Sequence, residues 1–289
     1  MAQLEGVEEL KQAFEKRWIT FRESFYNNQD SLHKATSYAL AGEGKRVRPL
    51  LTLISHKELG GKSDDAFLAA FAVEMLHTYS LIHDDLPCMD DDDLRRGRAT
   101  VHKKFDEATA LLAGDALLTD AFGVLAQFKN RLAVKEAITE LSSAAGGHGM
   151  VLGQSLDLFW TGKDGGGLEE LGEIHNNKTG KLMGASCALG ALTAGACEKT
   201  VMRFRAFGQT VGLVFQIVDD LIDPLGGHGK SQGKDDAQNK LTFLKFHSPE
   251  EAKEKADELM ASAVQLLSAP GIEVPLLIDY TKNLINRVR

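Results

Sequence analysis

Two runs of aspartate carry the densest chemistry in the chain. The first is His83-Asp84-Asp85-Leu86-Pro87-Cys88-Met89-Asp90-Asp91-Asp92-Asp93, and the second is Asp219-Asp220-Leu221-Ile222-Asp223-Pro224. Each closes a strongly apolar stretch of helical spacing, and each carries a proline that stops the helix. A helix C-terminus bears partial negative charge, so carboxylates there are unfavourable by roughly 0.3–1 kcal/mol apiece unless a cation sits among them. Hard divalent ions with oxygen ligands suit that need best. Asp84, Asp85, Asp90, Asp219, Asp220 and Asp223 are therefore candidate metal ligands. Asp91 to Asp93 read equally well as a solvated acidic loop. An EF-hand is excluded, because no glycine stands at the required place and no glutamate closes the loop.

Cations cluster against this acidic background. They lie in Gly44-Lys45-Arg46-Val47-Arg48-Pro49, Arg95-Arg96-Gly97-Arg98, Lys178-Thr179-Gly180-Lys181 and Gly229-Lys230-Ser231-Gln232-Gly233-Lys234. Any single cluster reads as a solvated helix face. Four short ones beside Gly or Pro in an acidic chain point instead to phosphate oxygens, the natural partners of Arg forks and Lys point charges. Carboxylates and cations together imply a magnesium-bridged diphosphate, with several Mg²⁺ ions per site and Lys/Arg on the remaining oxygens. A P-loop is excluded, since Pro224 occupies the position of its first glycine, and Gln232 breaks a G-x-G-x-x-G from Gly227. No H-E-x-x-H occurs. The formal charge of −8, from 33 Lys+Arg against 41 Asp+Glu, argues against a general nucleic-acid or anionic-membrane binder.

The elements that must hold these groups are helices. Apolar residues recur at i, i+3, i+4 almost throughout, and alternating strands are absent. The pattern predicts helices near 5–26, 30–41, 46–59, 64–85, 106–128, 132–145, 148–159, 168–195, 199–222, 249–268 and 273–287. Gly/Pro breaks separate them, none resembles an interdomain linker, and residues 1–289 read as one all-α domain, a large helical bundle. Hydrophobic residues make up 43% of the 289, enough for a sizeable core. Cys88, Cys187 and Cys197 are too few and scattered for a disulfide framework or a CxxC metal site. The acidic start MAQLEGVEEL does not read as a signal peptide. Leu182 to Cys197, the least polar stretch, is short for a membrane span and reads as a closely packed internal helix. A soluble, cytoplasmic protein is expected.

Taken together, helix, D-D-x-x-x-x-D, R-R-G and a later D-D-x-x-D resemble the trans-isoprenyl diphosphate synthases, most of all their bacterial-type farnesyl diphosphate synthases. The resemblance runs from Gly44 to about Asp236. It implies an isoprenoid-synthase bundle around a central apolar cavity, a homodimer, and head-to-tail prenyl transfer from an allylic diphosphate to isopentenyl diphosphate. It matches Asp84, Asp85 and Asp90 to the first metal motif, and Asp219, Asp220 and Asp223 to the second. Arg95, Lys178, Thr179 and Lys230 resemble the allylic diphosphate site, with Lys234 as the other register for Lys230. Lys45, Arg48, His77 and Arg96 resemble the isopentenyl diphosphate site, and Gln216 resembles the glutamine of F-Q-x-x-D-D.

Product length follows from one helix. Tyr79 lies five residues before Asp84, roughly 7.5 Å lower at 1.5 Å per residue. By the resemblance, an aromatic residue there is a floor that stops growth at fifteen carbons. Tyr79 with the small Ser80 thus implies (2E,6E)-farnesyl diphosphate, against the alternative that Tyr79 is plain core. Other readings are a geranyl or geranylgeranyl diphosphate synthase, a class I terpene cyclase, and a non-catalytic prenyl synthase subunit. A cyclase, binding one diphosphate, has no need of Lys45, Arg48 and Arg96. The C-terminal Arg287 and Arg289 read either as a cover for the isopentenyl site or as solvated ends.

Overall fold

Helix starts are written plainly into the chain. Asp30, Asp106 and Asn130 accept from the backbone N–H of His33 (2.9 Å), Thr109 (2.7 Å) and Leu132 (3.2 Å), the usual side-chain caps. Ser248 and Glu251 form a reciprocal capping box ahead of Pro249. The computed structural model describes residues 2–222 and 240–286. In chain order its helices are α1 (Ala2–Phe25), α2 (Ser31–Leu40), α3 (Val47–Glu58), α4 (Asp65–Asp84), α5 (Val101–Lys104) and α6 (Glu107–Leu125). There follow α7 (Arg131–Ala145), α8 (Met150–Trp160), α9 (Leu168–His175), α10 (Lys181–Thr193), α11 (Glu198–Ile222), α12 (Pro249–Leu267) and α13 (Pro275–Ile285). The fold is all-α, as the 3.6-residue periodicity requires. Asp223, Lys230, Lys234, Arg287 and Arg289 lie outside the described residues.

Two apolar clusters make the core. One gathers α1, α2, α4, α6 and α7 around Phe14, Trp18, Met75 and Leu117; the other gathers α3, α10, α11, α12 and α13 around Ile54, Phe204 and Phe207. Leu10 and Leu192 pack against both and join them. Helix α10 lies between the two and touches α3, α4, α7 and α11. Its small residues serve that crowding: a Cβ on Gly190 would come within 2.3 Å of Thr52 O on α3. The low polarity of 182–197 is thus close packing, as its sequence suggested.

Several details were not in the pattern reading. The helix expected over 168–195 is interrupted by one π-turn, Asn176–Gly180, between α9 and α10. A two-residue hairpin, β1 (Leu94–Arg95) and β2 (Arg98–Ala99), pairs Leu94 with Ala99 and Arg95 with Arg98. Arg96 and Gly97 have φ +54° and +73°, the left-handed pair a tight hairpin turn requires. Two strand residues on each side are too short to show alternation. A further 3₁₀ turn spans Phe243–Lys245. Among the described residues, α4 and α6 are the helices long and apolar enough to cross a membrane by length and composition. Most of α4 is buried within the bundle, as a core helix is.

Candidate active site

Helix α4 ends at Asp84, and the chain then folds back over its own C-terminus. Asp90 N–H donates to Asp84 O (2.8 Å) and Asp92 N–H to Asp85 O (3.2 Å), with Asp91 in the left-handed region at φ +49°. Carbonyls that a helix end leaves without an intrahelical partner are thus satisfied by the acidic run itself. Cations offset the gathered charge. Arg95 Nε donates to Asp85 Oδ1 (2.7 Å), and another N–H of the same guanidinium reaches Asp92 at 3.5 Å. Burial disfavours the Arg95 charge, but Asp85 outweighs burial and raises its pKa. Lys240 Nζ lies 3.3 Å from Asp90, and Lys103 Nζ lies 2.9 Å from Asp93.

The second acidic end belongs to α11, where Asp219 and Asp220 close the last described turn. Phe243 N–H donates to Asp220 Oδ2 at 2.6 Å. The segment that binds Asp220 through Phe243 therefore also binds Asp90 through Lys240. Three residues of chain span at most about 11 Å, so the two acidic ends are tied to opposite ends of one short tether. Gln216 is half-buried on the same helix, three residues before Asp219. The donors on both ends are carboxylate oxygens, a set that fits Mg²⁺ and offers nothing soft. Beside them, Asp91, Asp93 and His102 bring donor atoms within 4.8 Å of one another. There Asp93 already pairs with Lys103, and His102 Nδ1 lies 3.2 Å from Thr100 Oγ1.

Cations approach from two sides. Lys178 and Thr179 sit in the π-turn, the irregular backbone that often marks a functional site. Lys178 Nζ donates to Asp157 Oδ2 on α8 at 2.6 Å. Burial opposes its charge, but Asp157, Asp84 and Asp90 together raise its pKa. On the other side lie Arg48, Arg96 and His77. Arg48 is pushed down to about 10, chiefly by desolvation and then by Arg96, while Glu74 and Asp219 support its charge. Arg96 donates to Glu43 O (2.7 Å), which docks the hairpin turn onto the loop before α3. His77 is held well below its ordinary value by burial and by Arg48, Arg96, Arg95 and Arg46, so it is neutral at pH 7. Lys45 is exposed on the same loop.

The polyprenyl synthetase family matches residues 29–269 of this chain. The chain belongs to that family. It is 46% identical over 243 residues to geranylgeranyl pyrophosphate synthase 7 of Arabidopsis thaliana, covering 82% of this chain and 70% of that protein. It is 43% identical over 257 residues to the farnesyl diphosphate synthase of Bacillus subtilis, covering 86% of each. A geranyltransferase structure from Helicobacter pylori, in complex with magnesium and isoprenyl diphosphate, superposes with a TM-score of 0.79 at 36% identity, covering 95% of this chain and 96% of that one. This polyprenyl synthetase is thus a prenyltransferase, a trans-prenyl diphosphate synthase.

Within the synthase, Tyr79 lies buried on α4 below Asp84, its ring 5.7 Å from that of His83 in an edge-on contact. Its hydroxyl has no hydrogen-bond partner among the described residues, and burial, with Asp84, pushes its pKa up to about 12. Ser80 turns back to its own helix and donates to His77 O (2.9 Å).

Three residues near these groups escaped the sequence reading. Asp157 is the one charged residue of Met150–Trp160, and a lone acid in an otherwise uncharged helix was the available signal. Lys240 lies in a segment with no periodicity to flag it. Glu74 is the single acid between Ala66 and His83, a charge inside an otherwise apolar helix and therefore a group needing a partner.

Proposed function

We propose that this synthase joins isopentenyl diphosphate head to tail with dimethylallyl and then geranyl diphosphate, ending at (2E,6E)-farnesyl diphosphate. One observation supports the reading most: the segment that binds Asp90 through Lys240 and Asp220 through Phe243, linking both acidic ends by one short tether. Asp84, Asp85 and Asp90, with Asp219, Asp220 and Asp223, would hold several Mg²⁺ ions. Bound magnesium supplies Lewis acidity, drawing charge onto the departing diphosphate so that its C–O bond breaks towards an allylic cation.

The chain's own groups orient and shield. Lys178 and Thr179, with Arg95 and Lys230, hold the allylic diphosphate; Gln216 faces the same cavity. Lys45, Arg48, His77 and Arg96 hold isopentenyl diphosphate, with His77 donating as a neutral imidazole. No side chain is assigned as base, and released pyrophosphate takes the final proton. The apolar space below Asp84 excludes water that would quench the cation. Tyr79 closes that space at fifteen carbons, and the small Ser80 beside it leaves the ring as the stop. The relatives include both C15 and C20 enzymes, so Tyr79 is what favours the shorter product. The protein is proposed to work as a cytoplasmic homodimer.

Incubating the protein with Mg²⁺, dimethylallyl diphosphate and isopentenyl diphosphate, then sizing the products, tests this reading. Farnesyl diphosphate is expected, and no consumption of isopentenyl diphosphate would defeat it. Asp84→Ala and Asp219→Ala should each lower kcat by about 10³-fold, since each removes charge stabilisation specific to the transition state. Wild-type turnover in either variant would remove that residue from the metal set.

A further inference from the structure

Of the three cations in Lys45-Arg46-Val47-Arg48, Arg46 cannot meet a ligand. Its guanidinium is buried and every edge is occupied: Nε donates to Glu15 (2.8 Å), one terminal nitrogen to Glu74 (2.5 Å) and the other to Gly42 O (2.9 Å). Its backbone sits in the left-handed region at φ +49°, as the residue just before α3, with no side-chain cap on that helix start. A non-glycine residue is disfavoured there, so the contacts of its side chain must hold it. Lys45 precedes it and Arg48 lies two residues beyond.

Glu74 is the deeper of its two carboxylate partners. It is 3% exposed, one turn before His77 on α4. Its charge also supports Arg48 and Arg96, neither of which hydrogen-bonds to it in the structure. Arg96 docks on Glu43 O of the same loop, and Glu74 is the carboxylate whose charge supports Arg46, Arg48 and Arg96 alike. Buried like charges repel strongly in a poorly solvated site, and a fixed opposite charge is what lets them share it.

We propose that Glu74 is a positioning residue for the isopentenyl diphosphate subsite: acting through Arg46 it fixes the loop that carries Lys45 and Arg48, and its charge keeps Arg48 and Arg96 together. It never touches substrate. The inference rests on the function proposed above and adds a residue to it. It also makes the subsite separable, because Asp157, and not Glu74, partners Lys178 on the allylic side.

Calorimetric titration and steady-state kinetics with each substrate varied in turn test this. Wild-type protein that binds no isopentenyl diphosphate would defeat the function itself and this inference with it. Given wild-type binding, Glu74→Gln should raise Kd and KM for isopentenyl diphosphate about tenfold, equivalent to about 1.4 kcal/mol, and leave the allylic KM within about twofold. Glu15→Gln, which removes the outer partner of Arg46 alone, should stay within about twofold for both. Arg46→Met with Glu74→Leu replaces the buried pair by apolar groups of similar size, keeps the fold, and should retain the selective defect. An unchanged Kd in Glu74→Gln overturns the proposal. So does an equal rise in both substrates' KM, or normal isopentenyl diphosphate binding in the double variant.

Discussion

Tyr79 and the buried histidines show how much single residues decide here. If the Tyr79 ring closes the floor, Tyr79→Ala opens space one and a half turns below Asp84, and the product should lengthen to twenty carbons or more. Chromatography of the dephosphorylated products measures this, and a profile still ending at C15 would reduce Tyr79 to core packing. Its buried, unpartnered hydroxyl also makes Tyr79→Phe a mild change, expected to keep the C15 product. Histidine chemistry sets the acid limit. His56, His77 and His175 all lie below their ordinary value of 6.5, each chiefly through burial, with His175 down to about 4. The unfolded chain therefore binds more protons below pH 6.5, and stability rises with pH through that range. For His175 each pH unit between 6.5 and about 4 should remove up to ~1.4 kcal/mol, and His56 and His77 act in the same direction. His175→Asn should flatten the fall in Tm between pH 6.5 and 4.5, and a slope identical to wild type would exclude His175 as a contributor.

At the scale of elements, the helices were legible and the irregularities that aim side chains were not. Periodicity and the Gly/Pro breaks located α4 and α11, and residue spacing located both aspartate runs, because these signals are local. The π-turn at 176–180 left no such trace: Asn177, Lys178 and Thr179 fit a continuous helix, and only packing against α8 reveals the extra residue. Gly153 makes that packing possible, since a Cβ there would lie 2.1 Å from Lys178 N. The obstacle is backbone and cannot swing aside. Gly153→Ala should therefore destabilise by about 1–3 kcal/mol through overpacking and displace Lys178 and Thr179. A lowered Tm with an allylic KM raised more than that for isopentenyl diphosphate is expected. Equal effects on both would mean that α8 supports the bundle alone. The hairpin is a similar case: Arg96-Gly97 could be read as a basic cluster, but its role in docking Arg96 onto Glu43 needed the tertiary fold. Likewise Asp90 reaches Lys240 across 150 positions, a pairing no local pattern encodes.

For the whole molecule, the same face of α6 explains two observations. That helix is apolar and long enough to be taken for a membrane span, yet less than half of its span-like window is buried in the bundle, and Leu111 and Leu112 are 48% and 56% exposed. A core helix such as α4 has most of its apolar residues covered by its own chain. On α6 the outer side chains need another cover, and each leucine buried there contributes about 1.5–3 kcal/mol. In the proposed homodimer a second copy would meet that need with the same residues twice, as a two-fold interface does. The face also lies next to Tyr79, the proposed product floor, because His83, in contact with Tyr79, lies 3.0 Å from Leu111 O. Association would therefore steady the wall against which the prenyl chain ends. Leu112→Arg should place a charge in that contact and shift the protein from dimer to monomer in light scattering. The monomer should keep its helical circular dichroism while losing activity and product uniformity. A Leu112→Arg protein that remains dimeric would move the interface elsewhere, and a wild type that is monomeric at micromolar concentration would remove it altogether.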